Sequence, residues 1–193
     1  MKSICVFCAS GIGDNLIYGD TAYALGAKLA KQRISVIYGG AKVGVMGKLA
    51  EGVLSENGEI IGIIPEFLKK KEIAHEKLTE LITVSTMHLR KALMQEKSDG
   101  FIALPGGFGT MEELFEILTW GQLGLHRKPI GILNVNAYYD ALIQLIDKMI
   151  EEGLLKEEYR KMILISDSAD DLLKKMETNV LPFEPKLDGL NIM

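Results

Sequence analysis

Apolar residues along this chain come in two rhythms. Short runs rich in Ile and Val, rarely broken by a polar residue, fall at 3–8, 35–38, 60–64, 81–84, 101–104, 130–133 and 163–165. Runs of that length and composition fit strands covered on both faces. Between them the spacing turns helical. Tyr138, Ala141, Leu142, Leu145, Ile146 and Met149 recur every three or four positions, and Ala22, Leu25, Gly26, Leu29 and Ala30 do the same. Strands alternating with helices predict βα units, a parallel sheet and helices on both of its faces. With right-handed crossovers this is a doubly wound, Rossmann-like α/β fold. One domain is expected over residues 1–180, without linker, repeat or low-complexity stretch. The tail 181–193, with Pro182, Pro185 and Gly189, is expected to be irregular.

That architecture restricts where chemistry can sit. In an open parallel sheet, ligands bind along the edge formed by the strands' carboxyl ends. Four segments fall at strand-to-helix turns and should share that edge: SGIGD at 10–14, GGAKVGVMG at 39–47, TMHLRK at 86–91 and PGGFGTMEE at 105–113. The glycine loops match neither G-x-G-x-x-G nor G-x-x-x-x-G-K-[ST], which disfavours an NAD dehydrogenase or a P-loop NTPase. They keep the physics of anion binding, in which glycines let backbone N–H groups converge at a positive helix end. Gly106, Gly107, Gly109 and Thr110 fit that description, with a monophosphate as the natural guest.

Thr110 and Glu113 admit two readings. T-x-x-E is the spacing of a capping box, in which both side chains satisfy the helix's own N–H groups. Alternatively, the Glu side chain turns toward a ligand. Arg90 and Lys91 open a helix, where each cation opposes the helix dipole at a cost of roughly 0.3–1 kcal/mol. Either they bend to solvent and surface acids, or they meet an anion or carboxylate at the sheet edge. Met111, Leu114, Phe115 and Leu118 form a stripe expected to face the sheet. Trp120 lies off it, as a boundary residue, a pocket wall or a subunit contact. Cys5 and Cys8 form C-x-x-C, but residues three apart on a strand point to opposite faces, so two inert buried thiols are expected. His75, His88 and His126 have no metal-ligand spacing, and no Ser-His-Asp set is readable.

Composition narrows the partners. A net charge of −4 and a pI near 5.5 argue against a nucleic-acid binder. The lysine run at 69–71 reads as a solvated loop. No apolar run approaches the ~20 residues of a membrane span, and MKSICVFCAS is too short for a signal peptide, so a cytoplasmic protein is expected.

PGGFGTMEE at 105–113 resembles the P-G-G-x-G-T-x-x-E signature of the Lonely Guy family, cytokinin riboside 5′-monophosphate phosphoribohydrolases. MHLRK at 87–91 is similar to that family's M-H-x-R-K, GGAKVGVMG to its G-G-G-x-x-G-L-M-G, and FCAS at 7–10 to its F-C-G-S. Order and spacing hold from about residue 3 to residue 165. The resemblance implies hydrolysis of the N-glycosidic bond of a nucleoside 5′-monophosphate, AMP included, releasing base and ribose 5-phosphate. It implies Arg90 and Glu113 as the catalytic pair. It implies substrate contacts from Ser10, Met87, Lys91, Gly106, Gly107, Phe108, Gly109, Thr110, Met111 and Glu112, and on spacing alone from Glu72 and Thr119. No metal and no organic cofactor are implied. A homodimer or larger homo-oligomer is, to which Trp120, Leu123 and Leu125 are candidate contributors. Ala41 and Ala9 stand where the family usually has glycines. Relatives were often labelled lysine decarboxylases, but no segment here offers a pyridoxal-phosphate lysine site. A non-catalytic carrier of a nucleotide or phosphate-bearing cofactor, and a transferase moving the ribosyl group to another acceptor, use the same sheet edge.

Overall fold

A computed structural model describes residues 1–69 and 74–179. The seven predicted strands all form: β1 Ser3–Phe7, β2 Ser35–Tyr38, β3 Ile60–Pro65, β4 Glu80–Val84, β5 Gly100–Ala103, β6 Ile130–Leu133 and β7 Ile163–Ser166. They make one sheet in the order β4-β3-β2-β1-β5-β6-β7, and every pairing is parallel. The helices are α1 Ile17–Lys31, α2 Gly44–Ser55, α3 Glu66–Lys69, α4 Met87–Glu96, α5 Phe108–Leu123, α6 Asp140–Glu151, α7 Glu157–Arg160 and α8 Ala169–Thr178. The expected doubly wound α/β architecture is the one observed.

Two apolar layers hold the sheet. Ile4, Val6 and Cys8 point to one side, where α1, α2 and α8 supply Leu25, Leu29, Leu49, Val53, Leu172 and Met176. Cys5 and Phe7 point to the other, with Met94 from α4, Leu114 and Ile117 from α5 and Ile146 from α6. The alternation of a strand therefore separates the two cysteines, as expected. Both are free and buried, and burial pushes both thiols far above their usual range.

Helices α1 and α2 approach closely because Gly26 and Gly52 carry no side chain. A Cβ on Gly26 would collide with Leu49 O, and one on Gly52 with Tyr23 O. Strand order reverses between β1 and β5, whose following helices leave on opposite faces, and the crevice between those strand ends is where such folds bind ligands.

Two helical expectations need correction. The stripe predicted from Tyr138 onward begins later, because α6 starts at Asp140 after a one-turn 3-10 segment, Val135–Ala137. The buried face of α5 is Thr110, Glu113, Leu114, Ile117 and Gly121, while Phe115 is exposed. A purely apolar periodicity misplaces that face because two of its members are polar. The predicted tail at 181–193 and the lysine run beyond Lys69 lie outside the described residues.

Candidate active site

Strand β5 ends at Ala103, and the chain passes through Leu104, Pro105 and Gly106 to Gly107, the N-cap of α5. Gly107 is extended and has no side chain to cap the helix. The first backbone bond is donated by Met111 to Gly107 O at 3.1 Å. The N–H groups of Phe108, Gly109 and Thr110 therefore have no acceptor among the described residues, and they present the positive end of a sixteen-residue helix. The capping box is not formed. Thr110 occupies the third position of the helix rather than its cap, and Glu113 lies in the second turn.

The open turn borders a cavity of about 510 Å³. Its walls come from the loop after β1 (Ser10 to Gly13), Tyr18 of α1, Gly39 after β2, Arg90 of α4, the Pro105–Thr110 turn, Glu113 and Tyr138. That volume suits a small ligand. The fold thus brings together five segments distant in sequence.

Arg90 and Glu113 form the charged wall. Both are about nine-tenths buried, and Arg90 Nη1 lies 3.4 Å from Glu113 Oε1. Arg90 Nε also donates to Ile63 O at 3.0 Å. Room for the guanidinium depends on Gly39, since a Cβ there would stand 2.5 Å from Arg90 Nη2. Thr86 caps α4, accepting from Leu89 N–H at 3.1 Å, and so sets the turn that carries Arg90. Burial pushes the Glu113 carboxyl up to about 7, against the opposing pull of Arg90. Desolvation outweighs the ion pair because both side chains are largely buried and meet in a single long contact. A carboxyl poised near neutrality, facing a cavity, can exchange a proton at physiological pH.

The other expected residues divide. Ser10, Gly106, Gly107, Phe108, Gly109 and Thr110 line the cavity with the pair. Met87, Lys91, Met111, Glu112 and Thr119 do not. Lys91 instead bridges Glu112 at 2.5 Å and Glu116 at 2.9 Å, and Thr119 Oγ1 donates to Phe115 O. Glu72 lies outside the described residues. His126 is structural: it is buried, Nδ1 accepts from Lys128 N–H, and Nε2 lies 2.9 Å from Ile117 O. Trp120 packs partly against the core on the α5 side. Sequence reasoning missed Tyr18 and Tyr138 as cavity walls. Tyr138 read as part of a helical stripe, and its neighbour Tyr139, which is the buried one of the two, would have been the better candidate for the core.

The second glycine segment plays a different part. Val45 and Met46, at the start of α2, donate their N–H groups to Gly11 O and Ala9 O, both at 3.1 Å. Gly44 has φ +65°, and a Cβ there would collide with the carbonyl of Ser10. This turn braces the loop after β1.

Known proteins resemble this chain in sequence and in fold. The family model described as "Possible lysine decarboxylase" matches residues 46–176. Cytokinin riboside 5′-monophosphate phosphoribohydrolase LOG1 of Arabidopsis thaliana is 46% identical over 179 residues, covering 93% of this chain and 84% of that protein. The probable cytokinin riboside 5′-monophosphate phosphoribohydrolase LOGL1 of Oryza sativa subsp. japonica is 49% identical over 174 residues, covering 90% and 78%. Among solved structures, the molybdenum cofactor carrier protein of Chlamydomonas reinhardtii superposes with a TM-score of 0.66 at 15% identity, over 91% of this chain and 95% of that one. The molybdenum cofactor binding protein of Rippkaea orientalis gives 0.67 at 22%, over 92% and 97%. These two likenesses show a shared fold. The family match and the long, close matches to the plant proteins identify the chain as a member of the Lonely Guy family.

Proposed function

We propose that the protein hydrolyses the N-glycosidic bond of nucleoside 5′-monophosphates, AMP and cytokinin riboside 5′-monophosphates among them, to free base and ribose 5-phosphate. The observation that carries this reading is the buried Arg90–Glu113 pair on the wall of the cavity that the unpartnered α5 amides border. The 5′-phosphate sits on the N–H groups of Phe108, Gly109 and Thr110. Glu113 lies five residues along the same helix from Phe108, roughly 7.5 Å of rise. A ligand anchored by phosphate at the helix end therefore extends its ribose toward the carboxylate.

Breaking the bond from the anomeric carbon to the base sends the electron pair to the base and leaves an oxocarbenium-like ribose. The Glu113 carboxylate stabilises that cation and accepts one proton of the water whose oxygen adds to the anomeric carbon; the departing base takes up that proton in turn, which returns Glu113 to the carboxylate. Arg90 keeps Glu113 partly ionised at neutral pH and offers its remaining N–H groups to the ligand. Such stabilisation of transition-state charge in a dry site contributes several kcal/mol. A homo-oligomer in the cytoplasm belongs to the same reading, as do Met87, Lys91, Glu112 and Thr119 as contacts beyond the cavity of a single chain.

A carrier of a phosphate-bearing cofactor is the second reading, favoured by the fold shared with the two cofactor-binding proteins. It leaves the buried carboxylate without a purpose. Incubation with AMP decides between them. Stoichiometric release of adenine and ribose 5-phosphate, reduced 100-fold or more in Glu113→Gln and Arg90→Ala, is the expected result. Binding without cleavage would favour the carrier.

A further inference from the structure

The turn that carries the free amides contains Gly106, Gly107 and Gly109, which have no side chains with which to hold its shape. Its restraint comes from the connection between β6 and α6. Tyr138 Oη donates to Gly106 O at 2.7 Å, and Tyr139 Oη donates to Leu104 O at 2.6 Å. Just before these tyrosines the connection holds two successive left-handed residues that are not glycine, Asn136 at φ 53° and Ala137 at φ 56°, a conformation such residues adopt reluctantly. Asn134 steadies the connection, accepting from Tyr139 N–H and donating to Asp140, both at 2.8 Å. Tyr139 is buried in the core, whereas Tyr138 lines the cavity with Tyr18 packed edge-on against it at 5.9 Å.

We propose that Tyr138 is a positioning residue that sets the affinity of the glycine turn for the phosphate monoester of the substrate, an inference that rests on the reading of the site given above. The peptide joining Gly106 to Gly107 is one rigid plane. Fixing its carbonyl fixes the direction of the Gly107 N–H at the plane's other end, which also has no acceptor among the described residues and lies in the cavity wall beside the three amides of α5. A hydrogen bond received at the carbonyl also polarises that N–H and makes it a better donor. Without the clamp, the turn must be ordered when the anion arrives, and that ordering subtracts from affinity.

Tyr138→Phe removes the hydroxyl and keeps the ring against Tyr18. Calorimetric titration with ribose 5-phosphate should show binding about five- to tenfold weaker than in the wild type, with binding of adenosine, which lacks the phosphate, unchanged. In turnover of AMP the loss should fall on KM, with kcat within about twofold. A hydroxyl of purely structural value would lower the melting temperature and leave the ratio of the two affinities where it was. Equal ribose 5-phosphate affinity in variant and wild type, or equal weakening of both ligands, overturns the role of Tyr138 and leaves the proposed reaction standing. A wild type that does not bind ribose 5-phosphate overturns both.

Discussion

The turn after β2, GGAKVGVMG, and the turn after β5, PGGFGT, both follow an apolar strand and both open a helix. In the first, the early amides of α2 are already spent on Gly11 O and Ala9 O, Gly40 O accepts from His75 N–H at 3.0 Å, and Ala41 bridges Ala74. In the second, three amides face a cavity with no acceptor among the described residues. The glycines differ accordingly. A Cβ on Gly44 meets the Ser10 carbonyl, whereas Cβ atoms on Gly107 or Gly109 meet nothing within 4 Å. One turn uses glycine so that protein can pack against it, and the other leaves its glycines open to the cavity. Glycine content marks a close approach of backbone to something, and only the fold says to what.

Alanine substitutions should separate the two turns. Gly44→Ala places a side chain at φ +65° against a fixed carbonyl and should cost about 3 kcal/mol or more in denaturant unfolding, lowering activity only through the folded fraction. Gly107→Ala should cost less than about 1 kcal/mol in the same experiment, yet weaken ribose 5-phosphate binding tenfold or more, because the added methyl stands where the anion must approach. If both substitutions destabilise alike and neither touches binding, the distinction between a packed and an open turn fails.

The pH dependence sharpens the second half of the comparison. The Glu113 carboxyl is raised by burial from an ordinary 4.5 to about 7. A carboxyl held neutral in the folded state contributes stability that is complete below pH 4.5 and lost as the pH rises through 7. Glu113→Gln lacks that dependence. Its stability relative to the wild type should therefore climb between pH 4.5 and 7 by up to about 3 kcal/mol and level off above. Urea unfolding of both proteins at several pH values checks the sign. A flat difference would mean that Glu113 is ionised and well solvated.

Most strands were legible because they are buried on both faces and rich in Ile and Val; β4, at the sheet edge, is only partly covered and was marked by Leu81, Ile82 and Val84. β1 and β5 differ from expectation only at their ends. The gathering of Arg90, Glu113 and the glycine turn at one edge was legible too, because a parallel sheet places all strand-to-helix turns there. The state of each turn was not, since whether Val45 N–H finds a carbonyl depends on a loop more than thirty positions away. Neither was the orientation of α5. Its apolar residues occupy more than one face, and the buried one contains Thr110 and Glu113. Tyr138 was hidden by its spacing, which copies a helix that begins two residues later. Lys91 shares its local sequence with Arg90, yet one helical step turns it onto the acids of α5 and away from the cavity.

On the proposed reading, the anion is held by the turn after β5 and not by the turn after β2. Titrating ribose 5-phosphate into isotope-labelled protein and following backbone amide resonances tests it most directly. The amides of Phe108, Gly109 and Thr110 should shift saturably and furthest, while those of Val45 and Met46 stay near their starting positions. Larger shifts at Val45 and Met46, or no saturable shift at residues 108 to 110, would contradict the account.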